Sequence, residues 1–349
     1  MDPAHLDTPV ARRAIAQAAE ILRSGGLVAL PTETVYGLGA NALDPAAVAS
    51  IFAAKQRPAW DPVIVHITGE TVDNPMLRTL AAEIPDAARK LIAAFWPGPL
   101  TLLLPRSAAV PDAVTAGRPL VGIRMPAHPV AFALIREAGV PIAAPSANLF
   151  GHISPTTAAH VLDDLDGRID AILDAGPTKH GVESTVLDPC QSPMVIYRPG
   201  AITAAQIRAV AGPVEVFQLA GPLTPAPREA LPSPGVGLRH YAPRAHLVLV
   251  EDSFNRLPGA LAKAAAQHSS QRIGLMLPDE LAAQAPSSVE IFPWGRWAAP
   301  EELASRLYAG LRALDAAGCD VILCPLPPAD GLGAAIRDRL RKAAHVPDE

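Results

Sequence analysis

LVALPTETVYGLGANALDPAAVASIFAAKQRPAWDPVIVHI, residues 27–67, switches periodicity twice within one stretch. LVAL (27–30) and VIVHI (63–67) are apolar runs of strand length. Between them, Asp44-Pro45 supplies an N-cap and a first-turn proline for a helix running to about Lys55. Strand, helix and strand in this order predict an α/β arrangement. PTETVYGLGANA (31–42) reads as a glycine- and hydroxyl-rich loop that follows the first strand. Its Gly37-x-Gly39-x-x-Ala42 spacing fits the dinucleotide fingerprint only loosely, because the glycines lie beyond Leu30 and well before Pro45.

The same alternation extends outward. Residues 9–24 read as a helix ended by Gly25-Gly26, and downstream come a helix over 77–94 and strands at 101–104 and 121–124. A helix over 129–138, a strand at 142–144, a helix from Pro155 to Leu165 and a strand at 171–175 follow. Residues 184–188 and 194–198 read as a strand pair, and 203–211 as a helix. Residues 1–212 are therefore expected to form an α/β domain with an open, twisted sheet. Residues 213–245 hold seven prolines and read as a stiff linker. Over 246–349, apolar runs at 246–251, 272–277, 289–292 and 320–324 alternate with helices at about 256–268, 300–317 and 332–344. That rhythm predicts a small, Rossmann-like parallel-sheet domain.

Composition narrows the function. The chain has 349 residues, half of them hydrophobic and 18% charged, enough for two buried cores and too apolar for general disorder. A net charge of −5 and 4% aromatic residues argue against a protein that coats nucleic acid. Three cysteines, with no CxxC pair, exclude a disulfide framework and a zinc ribbon, and Cys319 and Cys324 read as small buried apolar residues. The first helical segment is charged, so it is no signal peptide, and no uncharged apolar run approaches about 18 residues. The chain is expected to be cytoplasmic and without a membrane partner.

Six further segments offer chemistry. Lys55-Gln-Arg57-Pro58 sets two cations at a helix end, where they either complement the helix dipole or converge on a polyanion. Pro145-Ser146-Ala147-Asn148 puts a hydroxyl and an amide after a buried strand, the end at which open α/β sheets bind ligands. Ser154-Pro155 reads as an N-cap with proline at the first helical position. Gly122-Ile-Arg124-Met-Pro126, Glu183-Ser184-Thr185 and Tyr197-Arg198-Pro199-Gly200 each place an arginine or hydroxyl at a strand end. There is no P-loop, GxSxG or HExxH, so no familiar nucleotide or hydrolase signature competes.

PTETVYGLGA, KQRP before VIVHI, WPGPLTLLL, GIRMP, APSAN with SPT, ESTVLD and YRPG occur in that order. Together they resemble the YrdC-type L-threonylcarbamoyladenylate synthases. SPGVGLRHYAP (233–243) and the C-terminal α/β region resemble the longer, two-domain branch. The resemblance implies condensation of L-threonine, bicarbonate and ATP into threonylcarbamoyl-AMP and pyrophosphate, with Mg2+ accompanying the ATP. The product would feed a downstream threonylcarbamoyl transferase machinery that modifies adenosine 37 of tRNA, so tRNA is an indirect partner. By motif, Lys55, Arg57, Ser146 and Asn148 match the catalytic set that holds triphosphate and bicarbonate-derived oxygens. Thr34, His66, Arg124, Ala144 and Ser184 match the threonine pocket, with Arg124 as partner of its carboxylate. Arg57, Asp61, Leu120, Ser146, Ser154, Arg198 and His240 match nucleotide contacts, and no dedicated metal ligands are implied. Asp61 stands where the family often has Asn, and Leu120 where it often has Thr or Ser. His240, with Tyr241 beside it, is expected on a lid that closes over the nucleotide. Two other readings are an RNA-binding module without catalysis and a carbamoyl transferase of hydrogenase maturation, which shares the YrdC-type domain but carries zinc-finger segments absent here.

Overall fold

Short polar caps and prolines set the helix starts. Thr8 accepts a hydrogen bond from the Ala11 amide and Pro9 opens α1 (Pro9–Arg23), while Asp44 caps Ala46 and Ala47 ahead of α2 (Pro45–Lys55). The computed structural model describes residues 1–69, 74–217, 233, 240–282 and 289–345. These form two units. The first takes in the described residues of Met1–Phe150, Pro155–Lys179 and Glu183–Val236, and the second those of Gly151–Ser154, His180–Val182 and Gly237–Glu349.

In the first unit β1 (Val28–Leu30) and β2 (Gly37–Asn41) precede α2, and β3 (Ile64–His66), α3 (Pro75–Leu80) and α4 (Asp86–Phe95) follow it. Next come β4 (Leu100–Pro105), α5 (Asp112–Thr115), β5 (Leu120–Arg124), α6 (Pro129–Ala138) and β6 (Ile142–Ala143). The series continues with α7 (Ala158–Leu165), β7 (Ala171–Ile172), β8 (Thr185–Asp188), β9 (Met194–Arg198), α8 (Ala204–Ala211) and β10 (Val214–Val216). Among the described residues the strands form one sheet in the order β10-β9-β8-β4-β5-β3-β6-β2-β1-β7. The sheet is mixed: β3 runs parallel to β5, and β4 antiparallel to β5 but parallel to β8.

Five local expectations change. Part of the glycine-rich loop is a strand, β2, antiparallel to β1. Gly39 permits that pairing, because a Cβ there would lie 2.8 Å from Leu30 Cδ2. The helix expected over 77–94 is two helices. Pro85 cannot sit inside a helix, and the chain between them bridges Ala81 to Arg106 and gives the Ala82 amide to the Pro105 carbonyl. The helix expected from Pro155 starts at Ala158, capped by Thr157, whose hydroxyl accepts the His160 amide. Ser154 is consequently not its cap. The strand expected over 171–175 is only β7. Finally, β10 lies within the stretch expected to be linker, parallel to β9.

In the second unit the elements are β11 (His246–Val250), α9 (Leu257–Gln267), β12 (Ile273–Pro278), α10 (Asp279–Ala282), β13 (Glu290–Gly295), α11 (Pro300–Ala316), β14 (Val321–Pro325) and α12 (Leu332–Ala344). Its sheet is wholly parallel, in the order β11-β14-β12-β13. Cys319 and Cys324 are buried, and burial pushes the Cys324 thiol far above its usual range, as suits an inert apolar residue. No helix among the described residues is long and apolar enough to cross a membrane.

Candidate active site

One end of the large sheet gathers the chemistry. His66 and Arg124 are register partners at the C-terminal ends of parallel β3 and β5. Because β4 runs against β5, its start, with Thr101, comes to that same end. Ser184 lies there too, just before β8, which is parallel to β4, and Arg198 ends β9, which returns antiparallel to β8.

Arg124 is 3% exposed and its fork is fully directed. Nε donates to the Gly98 carbonyl at 3.2 Å, Nη1 to Thr34 Oγ1 at 2.9 Å, and Nη2 lies 2.6 Å from Glu33 Oε1. Thr34 in turn shares a 2.8 Å hydrogen bond with Thr32. Across the end of the sheet, Arg198 donates through Nε to the Ser184 carbonyl and through Nη2 to Ser184 Oγ, both at 3.1 Å. Ser184 Oγ also meets Thr101 Oγ1 at 2.8 Å. Burial, aided by the Arg124 charge, lowers the His66 pKa to about 3 and keeps the imidazole neutral. Ala144 follows β6 and gives its amide to the Ile64 carbonyl. The five residues expected to line a threonine pocket thus lie on or beside neighbouring strands of one unit.

The expected phosphate-side residues cluster around the end of α2. Gln56 takes a left-handed φ of 53° as the C-cap. Lys55 is 1% exposed. Its Nζ donates to the Ser146 carbonyl at 2.6 Å and to the Asn148 carbonyl, and the Phe150 amide returns a bond to the Lys55 carbonyl. Burial, reinforced by Arg57, drives the Lys55 pKa well below its usual range. The Arg57 guanidinium pairs with Asp61 Oδ2 at 3.0 Å, donates to the Asp61 and Pro62 carbonyls, and faces the Phe150 ring at 5.9 Å. Asp61 is fully buried. Burial raises its pKa, and Arg57, Lys55 and Arg198 partly offset the rise. A carboxylate is therefore accommodated here by neighbouring cations. Leu120 packs half-buried against the cluster of Ile64, Leu103 and Val186, an apolar contact rather than a polar one.

Ser154 and His240 belong to the second unit. Ser154 is fully buried. His240 gives its amide to the Lys342 carbonyl, and its ring lies 5.4 Å from that of Tyr241. Tyr241 takes a φ of 64°, stacks on Tyr308 at 5.6 Å and lies under the Arg339 guanidinium. Most of the expected lid, including 234–239 with Arg239, lies outside the described residues. Among the described residues no group of three or more His, Cys, Asp or Glu side chains is arranged to hold a metal ion. Two participants escaped the sequence reading: Glu33, the single acid of PTETVYGLGA, and Thr101, at the head of TLLL. For Glu33 a signal existed, a lone charge between two threonines in an uncharged loop.

The Sua5/YciO/YrdC family model, described as telomere recombination, matches residues 20–200. The model described as threonylcarbamoyl-AMP synthase, C-terminal domain, matches residues 202–345. The threonylcarbamoyl-AMP synthase of Bacillus subtilis is 47% identical over 331 residues, covering 95% of this chain and 92% of the relative. That of Pyrococcus abyssi is 43% identical over 329 residues, covering 94% and 93%. The crystal structure of P. abyssi Sua5 complexed with L-threonine superposes with a TM-score of 0.85 at 41% identity, covering 95% of this chain and 94% of that one. The chain belongs to the two-domain Sua5 family.

Proposed function

We propose that this member of the two-domain Sua5 family is a nucleotidyltransferase that condenses L-threonine, bicarbonate and ATP into threonylcarbamoyl-AMP, pyrophosphate and water. The observation that carries the reading is the Arg124–Thr34 and Arg198–Ser184–Thr101 network at one sheet end, in the same unit as the Lys55, Arg57 and Asp61 cluster. Arg124 offers a guanidinium to the amino acid's carboxylate, and a neutral His66 is able to accept from its hydroxyl.

In the reaction the threonine amine attacks the bicarbonate carbon, water leaves, and an N-carboxylate forms. An oxygen of that carboxylate attacks the α-phosphorus of ATP, and the bond to the β-phosphate oxygen breaks with its electron pair going to pyrophosphate. Every reacting oxygen is anionic, so the chemistry asks for positioning and charge neutralisation more than for a protein nucleophile. Lys55, Arg57, Ser146 and Asn148 would supply that, with Asp61, Leu120 and Arg198 of the same unit toward the nucleotide. Magnesium would enter as part of the ATP substrate, since such ions keep most of their ligands from phosphates and water. The product would pass to a transferase that modifies adenosine 37 of tRNA. The test is pyrophosphate release from ATP with threonine and bicarbonate omitted in turn. Release that ignores either one refutes the reading.

A further inference from the structure

Glu33 has no part in the scheme above, yet it sits at its centre. The side chain extends from the loop between β1 and β2 and is 6% exposed, with Oε1 2.6 Å from Arg124 Nη2. Burial pushes its carboxyl up, but the Arg124 charge and hydrogen bonding, with the amides of Glu33 and Ala127, more than offset this, so it stays ionised at neutral pH. Neither carboxylate oxygen makes a hydrogen bond of good geometry, and neither does Arg124 Nη2, whereas Nε and Nη1 of the same guanidinium do. A buried carboxylate held by one ion pair and by amides of poor geometry keeps acceptor capacity that a further donor can fill.

We propose that Glu33 receives the α-ammonium of the amino-acid substrate, so that the adjoining Arg124 and Glu33 read it as a zwitterion; this rests on the threonine-pocket reading. A free amino acid carries its two opposite charges on one carbon, and this ion pair presents their complements side by side. With His66 neutral, the pair sums to zero, and a zwitterion entering beside it keeps the buried charge balanced. A hydroxy acid brings only the carboxylate. It places a second negative charge beside Glu33, and its hydroxyl offers Glu33 one neutral hydrogen bond in place of the charge-assisted ones of an ammonium.

The experiment is calorimetric titration of the full-length protein with two ligands. They are L-threonine and the 2,3-dihydroxybutanoate of the same stereochemistry, in which a hydroxyl replaces the amine. Wild type should bind threonine at least roughly 30-fold more tightly. In Glu33→Gln, threonine binding should weaken by roughly 30- to 100-fold while the hydroxy acid changes little, so the preference collapses. If Glu33 only positions Arg124, both carboxylate ligands weaken alike and the preference survives, which overturns the proposal. A wild type that binds both ligands equally also overturns it. A wild type that binds no threonine brings down the pocket reading itself, and this proposal with it. Glu33→Asp keeps the charge but withdraws it by one methylene, and serves if the glutamine variant fails to fold. It should lower the preference, and an unchanged preference counts against the role.

Discussion

Acidification should unfold the first unit with a proton uptake traceable to His66. In the folded protein this imidazole titrates at about 3, against an ordinary value of 6.5. A folded pKa below the unfolded one means that stability is complete above about pH 6.5. It is lost as pH falls from there toward about 3, because only the unfolded chain takes up the proton. A full proton difference is worth about 1.4 kcal/mol per pH unit, so between pH 7.5 and 5 the loss from this residue is about 2 kcal/mol. The assay is urea unfolding of wild type and His66→Gln at both pH values, followed by hydrogen exchange in peptides that contain β3 and β5. Carboxylates such as Glu33 and Asp61 titrate in both proteins and cancel in the comparison. Wild type should lose about 2 kcal/mol more than the variant on going to pH 5. Equal losses would refute the argument that burial keeps His66 neutral.

Gly200→Ala should disturb the proposed threonine pocket, because a Cβ there would lie 2.3 Å from the Thr185 amide nitrogen and 2.6 Å from the Ser184 carbonyl carbon. A loss of about 1–3 kcal/mol in stability, with a raised KM for threonine, is expected; a variant with wild-type melting and KM counts against it. Lys55→Met orphans the Ser146 and Asn148 carbonyls, at about 1–3 kcal/mol each, partly offset by no longer burying a cation. Both the melting temperature and turnover should fall, and an unaltered melting temperature would show that Lys55 does not hold that loop. A pocket that reads the threonine hydroxyl should reject 2-aminobutyrate strongly yet accept serine at a penalty of about 1–3 kcal/mol, measured as the ratio of kcat/KM values. Equal use of 2-aminobutyrate and threonine would mean that the hydroxyl is not read.

The α/β character and most element positions were legible because the apolar runs are short, separate and bounded by strong caps such as Asp44-Pro45. What escaped depended on tertiary pairing. GLGAN reads as a loop because glycines are poor strand formers, and it becomes β2 only through the close approach of Leu30. The continuous apolar pattern over 77–94 hides the break at Pro85, which the bridge from Ala81 to Arg106 stabilises. In the site, residues with distinctive chemistry at strand ends, Arg124 and Arg198, stood out as candidates. Thr101 did not, because nothing local distinguishes a threonine that heads a strand from any other; its role comes from facing Ser184. Likewise, Lys55 looked like a cation displayed at a helix end, and only the structure places its ammonium on two backbone carbonyls.

The pairing of β4 with β8 also has a consequence for biogenesis. Thr101 and Ser184 are joined across it, and Arg198 arrives only with β9, so the pocket draws on residues from Glu33 to Arg198. A chain emerging from the ribosome can pair β1 with β2 early, but β3 waits for β5 and β6, and there is no complete pocket until β9 is free to return against β8. Such distant parallel pairings form late in folding, after loop closure has been overcome. The amino acid therefore offers no help to early intermediates. On the proposed reading, threonine would stabilise only the last ones, and its binding would gauge whether the whole first sheet has closed.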